Sequence, residues 1–269
     1  MEVLCFNISG KLAHFRKYYA NNTAFSFTIP PRTSLMGMVA AVMGWQRDSY
    51  YEMLASENIH FGIRVLSPLK KSFHRLNFLQ IKDLKGDISK SDWAFDFRGG
   101  KETSIQTPFE VISGLNLTKD DVSYQIFISN TPQGNDIFKE IKNHFLNSYP
   151  VFNITLGIAN FSASIKDIKV IEANAVNEFI SDDYILIHSA VPISHVEDLK
   201  FKKDDFGSYN FVEEDMMPGD FVANNNREVR KMNRLLFSTT QNPLRVKLNT
   251  PFLKLQLPEE EIAFQFMDV

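Results

Sequence analysis

Residues 2–9 alternate with apolar side chains on both faces, Val3 and Cys5 on one side and Leu4, Phe6 and Ile8 on the other. A strand covered on both sides has this pattern, so a central strand is predicted. Phe25-Ser26-Phe27-Thr28-Ile29 is an alternating extended run that Pro30-Pro31 ends. A helix is predicted from there to Trp45, with Gly37, Ala40, Ala41 and Gly44 at i, i+3, i+4 and i+7 forming one small face. Thr33 or Ser34 is the expected N-cap, and Asp48 is the expected cap of a second short helix reaching Ser56. Residues 59–66 and 121–129 read as strands, the second alternating Val122, Tyr124, Ile126 and Ile128. Ile137, Phe138, Ile141 and Phe145 then repeat at helical spacing ahead of Pro150. Residues 154–165, broken at Gly157, are the fourth strand region.

The predicted order is strand–helix–strand, insertion, strand–helix–strand. It defines an α+β fold whose first part, residues 1–165, matches a ferredoxin-like (RRM-like) domain with an expanded connection between its second and third strands. That connection, about residues 68–120, is too long for a structureless loop. It holds extended runs at 72–79 and 104–112, and between them a polar stretch marked by Gly86, Gly99 and Gly100. A protruding hairpin-like arm is expected. Residues 166–269 read as a smaller β-rich region, with strands at 184–192, 235–237, 244–248 and 252–257 and a turn at Gln241-Asn242-Pro243. Arg230-Lys231-Met232-Asn233-Arg234 reads as a cationic loop beside that turn.

Composition narrows the class. The chain is 44% hydrophobic with 24 Phe, enough for a large core and incompatible with disorder. The lone Cys5 excludes a disulfide framework and fits a buried thiol in a cytoplasmic protein. No signal-peptide pattern opens the sequence. The most membrane-like run, residues 35–45, is far shorter than the roughly 20 residues a spanning helix needs.

Net charge is −3, which argues against a generally basic nucleic-acid binder, but the distribution is uneven. Residues 3–47 carry five Lys/Arg and no acid, and residues 227–247 carry six Lys/Arg against Glu228 alone. Residues 197–220 hold eight acids and three lysines. Such segregation suggests a basic track on an acidic body, unless folding scatters these charges over different faces.

Nucleotide-binding glycine motifs, H-E-x-x-H and paired C-x-x-C are absent, and the six histidines have no metal spacing. No metal or cofactor is expected. The start of the first helix, beside Arg32 and the cluster His14-Phe15-Arg16-Lys17-Tyr18-Tyr19, suits a phosphate. It reads equally well as a strand–loop–helix unit packed on a sheet. Cations on phosphates and aromatics on unpaired bases are what RNA binding requires. His14, Arg16, Lys17, Tyr19, Arg32, Thr33 and Ser34, with Lys71, His74, Arg75 and Asn77 on the arm, form the candidate RNA-binding set. Phe15 and Tyr19 read equally as core. A metal-free ribonuclease would draw its base, acid and phosphorane-stabilising lysine from His14, Tyr18 and Lys17, with His74 as a further histidine.

Ala13, Phe15 and Arg16, then Pro30, Pro31, Arg32 and Thr33, then Gly37, Met38, Ala41 and Gly44 follow one another in a pattern. Written A-x-F-R … P-P-R-T-x-x-x-G-M-x-x-A-x-x-G, it resembles the N-terminus of the fifth CRISPR-associated subunit of type I Cascade. This is the Cas-five family of the RAMP superfamily. Thr107-Pro108-Phe109-Glu110 is similar to the segment returning from that family's thumb. The resemblance implies a crRNA-binding subunit for antiviral defence that holds the 5′ handle. Its implied partners are the crRNA, the Cascade backbone subunit and the large subunit, with target DNA met only through the complex and no membrane. An I-B-like branch, in which another subunit cuts the precursor, implies no enzymatic activity. An I-C-like processing nuclease and a protein-only scaffold are the alternatives.

Overall fold

The computed structural model describes residues 1–20, 23–79, 104–201, 211–223, 227–257 and 260–268. The first strand, β1 (Val3–Gly10), is followed by the short β2 (Leu12–Ala13), β3 (Phe15–Arg16) and β4 (Ser26–Phe27). Helix α1 (Arg32–Met43) leads to β5 (Ile59–Val65), then to the long pair β6 (Leu69–Leu79) and β7 (Ser104–Gly114). After them come β8 (Val122–Asn130), α2 (Asn135–Asn147) and β9 (Ser164–Ile171). One antiparallel sheet has the order β5-β8-β1-β9, so β1 is central. Leu4, Phe6 and Ile8 of β1 join α1 and α2 in the main core. Val3 and Cys5 face the other way, onto a second cluster with Phe127, Leu255 and Phe264. Burial there pushes the Cys5 thiol up to about 12, which leaves it unreactive.

The arm is seen at its base: β6 and β7 pair from Leu69↔Gly114 to Leu79↔Ser104, and Leu12 and Ala13 of β2 extend that sheet on the β7 side. The glycine-marked centre of the insertion, residues 80–103, lies outside the described residues.

The C-terminal region contributes β10 (Val176–Phe179), β11 (Ile185–Ile187), β12 (Val191–Pro192), β13 (Val196–Lys200) and β14 (Val212–Phe221). It continues with β15 (Val229–Ser238), β16 (Leu244–Leu248), β17 (Phe252–Gln256) and β18 (Glu261–Phe264). They form three small antiparallel sheets, β10-β17-β18, β11-β16-β13 and β12-β15-β14. These are not set apart from the first region. Ala190, Met217, Leu235, Phe237 and Met267 belong to the main core, and the amides of Ala190 and Met267 donate to Ile63 and Phe61 on β5. The fold is thus a mixed one, with few helices and many antiparallel strands.

Four local expectations are corrected. Residues 154–163 are not strand: Gly157 adopts φ 98° and packs on the His14 carbonyl, so the chain folds back and the fourth strand starts at Ser164. That strand continues to Ile171. Asp48 caps no helix; it sits at φ 64° before a run of turns and accepts from Tyr51 and Arg227. Residues 184–192 form two strands, because Ser189 and Ala190 leave the ladder to bond Gln265 and β5. Residues 230–234 are part of β15, not a loop.

A side chain at Gly157 would overlap the carbonyl oxygen of His14. Gly157→Ala is therefore expected to cost more than about 1 kcal/mol, since it combines left-handed strain with that overlap. Urea unfolding measures it; an unchanged midpoint would refute the close approach.

Candidate nucleic-acid interface

Helix α1 starts at Arg32 because Pro31 holds extended backbone (ψ 155°) and its carbonyl accepts from Ser34 (2.8 Å) and Leu35 (3.1 Å). Contrary to the sequence expectation, neither Thr33 nor Ser34 caps the helix; both lie inside the first turn, and no side chain caps it. Arg32 departs furthest from its expected role. It is 1% exposed and points inward rather than toward a phosphate. Its guanidinium pairs with Asp220 on β14 and with Asp268 near the C-terminus. It also donates to the carbonyls of Leu54 (2.7 Å), Ile59 (2.6 Å) and Gly219 (3.2 Å), and lies 5.1 Å from the Phe61 ring centre. A charge so enclosed is stable only with this full set of partners.

His14 is likewise 1% exposed. Its Nδ1 lies 2.7 Å from the Glu110 carbonyl, which fixes Nδ1–H as the donor, and its ring stacks on Phe109 at 4.0 Å. Burial pushes its imidazole below the ordinary histidine range, and His188 behaves the same way for the same cause. Phe15 is core. Lys17 bends onto Asp215 of β14 (2.5 Å) and over Phe27; burial opposes its charge, but the carboxylate holds it above the usual lysine range. His14, Arg32 and Lys17 therefore leave the solvent-facing set.

What remains surrounds a cleft of about 480 Å³ beside the first turns of α1. Arg16, Thr33 and Ser34 line it from the expected RNA-binding set and Tyr18 from the ribonuclease candidates, and Gly37, Met38 and Ala41 bring the small face of α1 to its wall. Tyr50, Tyr51, Asn153, Thr155 and Arg227 complete it. Nothing local in the sequence marks these last five; only the fold brings residue 227 next to residue 16. Arg16 reaches the Ala20 carbonyl (3.5 Å) and makes no ion pair among the described residues. Arg227 pairs with Asp48 (3.0 Å), whose carboxyl is held below its usual range by the Tyr51 hydroxyl and then by Arg227. The cleft thus offers two guanidiniums, several hydroxyls and aromatic rings, and among the described residues no uncompensated acid lines it. It suits a phosphate ester with an attached ring.

On the arm, Lys71 is tied to Glu213 of β14 (3.3 Å). His74, Arg75 and Asn77 are exposed, with Ser72 Oγ 3.0 Å from His74 Nε2. Tyr18 and Tyr19 are exposed and meet edge to face.

The expected basic track gives way to cross-strand pairing. The acidic segment forms β13 and β14, and the basic one forms β15 and β16, their direct partners. Arg234 meets Glu214, Lys247 meets Glu197 (2.9 Å), and Arg230 lies near Glu57 (3.3 Å) and Asp220 (3.8 Å). Sequence segregation here reflects strand complementarity. Among the described residues no cluster suits a metal ion and no helix is long and apolar enough to cross a membrane.

Two measurements test this geometry. Arg32→Ala should cost about 3–5 kcal/mol by urea unfolding, as loss of one partner of a buried pair does, while Arg16→Ala stays within about 0.5 kcal/mol. Because His14 and His188 sit below their unfolded values, the folded chain binds fewer protons. Stability is then complete above the unfolded value of about 6.5 and falls as pH drops through the folded values. His14→Gln should flatten that decline; an unchanged pH profile would contradict the burial of His14.

A family described as CRISPR-associated protein (Cas_Cas5) matches residues 3–184. Among solved structures, a CRISPR protein from Archaeoglobus fulgidus is similar at 13% identity and TM-score 0.54, over 98% of each chain. A chain of a CRISPR RNA-guided surveillance complex is similar at 12% identity and TM-score 0.46, over 92% of this chain and 91% of that one. No match is found with curated proteins. With more than half of its length matched by one family, this chain belongs to the CRISPR-associated Cas-five family.

Proposed function

We propose that this protein is the crRNA-binding subunit at one end of a type I, I-B-like Cascade. It holds the 5′ handle in the cleft beside α1 and joins the backbone and large subunits in antiviral defence. The observation that carries the reading is the cleft itself, with Arg16, Arg227, Ser34 and Thr33 around one opening at the start of α1. Guanidiniums and hydroxyls at a helix start match phosphate oxygens, and Tyr18 and Tyr50 offer faces to a base. The exposed Lys70, His74, Arg75 and Asn77 of the arm extend the contact toward the guide. In this reading the four-stranded sheet, with its strands in the order second–third–first–fourth and both helices in one core with it, supports a ferredoxin-like core.

The subunit clamps RNA and does not cut it. A metal-free cut needs a general base within reach of a 2′-hydroxyl. His14 is enclosed and Lys17 is paired, so His14, Tyr18 and Lys17 do not converge on open surface.

Purified protein should retain its handle RNA with a log-affinity that falls against log salt. Arg16→Ala and Arg227→Ala should each flatten that slope by about 0.7. Slopes and affinities equal to the parent's in both variants would sink the cleft assignment. Incubation with precursor RNA in EDTA should leave the RNA whole; specific cutting at the base of the handle, lost in Tyr18→Phe, would make the protein a processing nuclease instead.

A further inference from the structure

Two phenylalanines outside the cleft remain without a structural task. Phe73 on β6 is 58% exposed and Phe25, just before β4, is 39% exposed. Their rings meet edge to face at 5.8 Å, and both stay exposed to water. A chain that buries Phe6, Phe15, Phe27, Phe61 and Phe109 nearby does not lack core positions.

The floor beneath the pair is rigid. Ala24 bridges Phe109 of β7, with Ala24 N–H donating to Pro108 (2.9 Å) and Glu110 N–H to Ala24 (2.9 Å). The Phe25 carbonyl accepts from Lys17 N–H (2.8 Å). The buried Glu110 carboxylate accepts from Ser26 N–H (2.7 Å), and Phe73 sits directly across from Glu110 in the β6–β7 ladder. Strand geometry puts Phe73, Arg75 and Asn77 on one face of β6, with successive members about 7 Å apart. Among the described residues of β6 and β7 the fixed charges are Lys70, Lys71 and Arg75 against the buried Glu110, and Lys71 is paired with Glu213 of β14. The charges left open on these two strands, Lys70 and Arg75, are therefore positive. That favours a polyanion carrying flat rings over an apolar protein surface.

We propose that Phe25 and Phe73 form a stacking platform for an unpaired nucleobase of single-stranded RNA, with Arg75 taking the adjoining phosphate. This rests on the RNA-binding reading above but assigns a second contact, at the base of the arm, away from the cleft. Preorganised rings stack on any base without losing side-chain freedom, so the contact is tolerant of sequence.

The test uses the full chain and a short oligoadenylate carrying 2-aminopurine. The parent should bind it and quench its fluorescence. Phe73→Leu and Phe25→Leu should each weaken binding roughly 5- to 150-fold, the range one base–aromatic stack supplies, and should relieve quenching. The salt slope should stay unchanged, because a ring releases no counterions. Phe73→Tyr, which keeps the ring, should bind as the parent does, which separates stacking from misfolding. Arg75→Gln should instead flatten the slope by about 0.7. Parent-like binding and quenching in both leucine variants would overturn the platform while leaving the cleft reading intact. So would normal RNA binding with failed assembly into the complex, which would make this surface a protein contact. A parent that binds no single-stranded RNA would overturn both readings.

Discussion

Arg32 is the residue on which the arrangement of this molecule depends. A guanidinium with no access to water must have every donor matched, and its partners come from distant parts of the chain: Asp220 on β14, Asp268 near the C-terminus, and the carbonyls of Leu54, Ile59 and Gly219. Asp220 in turn accepts from Ser56 Oγ (2.7 Å), and Asp268 from Phe61 N–H (2.7 Å). One cation therefore fixes the start of α1 against β5, β14 and the final residues together. Buried pairs of this kind contribute little net stability against an apolar replacement, but they tolerate only one geometry. Here that geometry sets the first turn of α1, and with it the wall of the cleft.

The same economy of charge governs the surface. Basic and acidic segments that look separate along the chain become neighbours across β13–β16 and β14–β15, and Lys17 and Lys71 reach over to Asp215 and Glu213. Most cations are thereby neutralised. Among the described residues, the cations that line the cleft and stay open on the arm are few: Arg16 at the cleft, with Arg227, paired to Asp48, beside it, and Lys70 and Arg75 on the arm. A net charge of −3 is compatible with RNA binding because affinity depends on where the free cations sit, not on their sum.

The aromatic residues divide along similar lines. Phe15 and Phe27 pair across β3 and β4 and hold the core side of this small ladder, while Phe25, Tyr18 and Tyr19 are left on its outer side. Alternation alone does not set this division, since Phe25 and Phe27 have the same parity; the exposed rings lie beyond the paired residues Phe15–Arg16 and Ser26–Phe27. The ladder thus supplies both a rigid anchor and exposed rings from a few consecutive positions.

The sequence by itself determined the elements with strong periodicity. Central β1, β5, β8 and α2 were legible because burial on one or both faces imposes period 2 or 3.6 on the apolar residues. The hairpin character of the arm and the family motif around α1 were legible too. Local signals failed where tertiary contacts outweighed them. Residues 154–163 gave up strand pairing to let Gly157 pack on His14; Asp48 took a left-handed conformation; the acidic β14 has no periodic apolar face and was invisible until paired with β15. Residue type alone marked Arg32, His14 and Lys17 as cations able to meet RNA. The tertiary structure enclosed the first two and paired the third, and it brought Arg227 beside Arg16 from the other end of the chain. The physical reason is that periodicity records which side of an element is buried. Which distant carboxylate a buried cation meets depends on how the elements pack, and no local pattern encodes that.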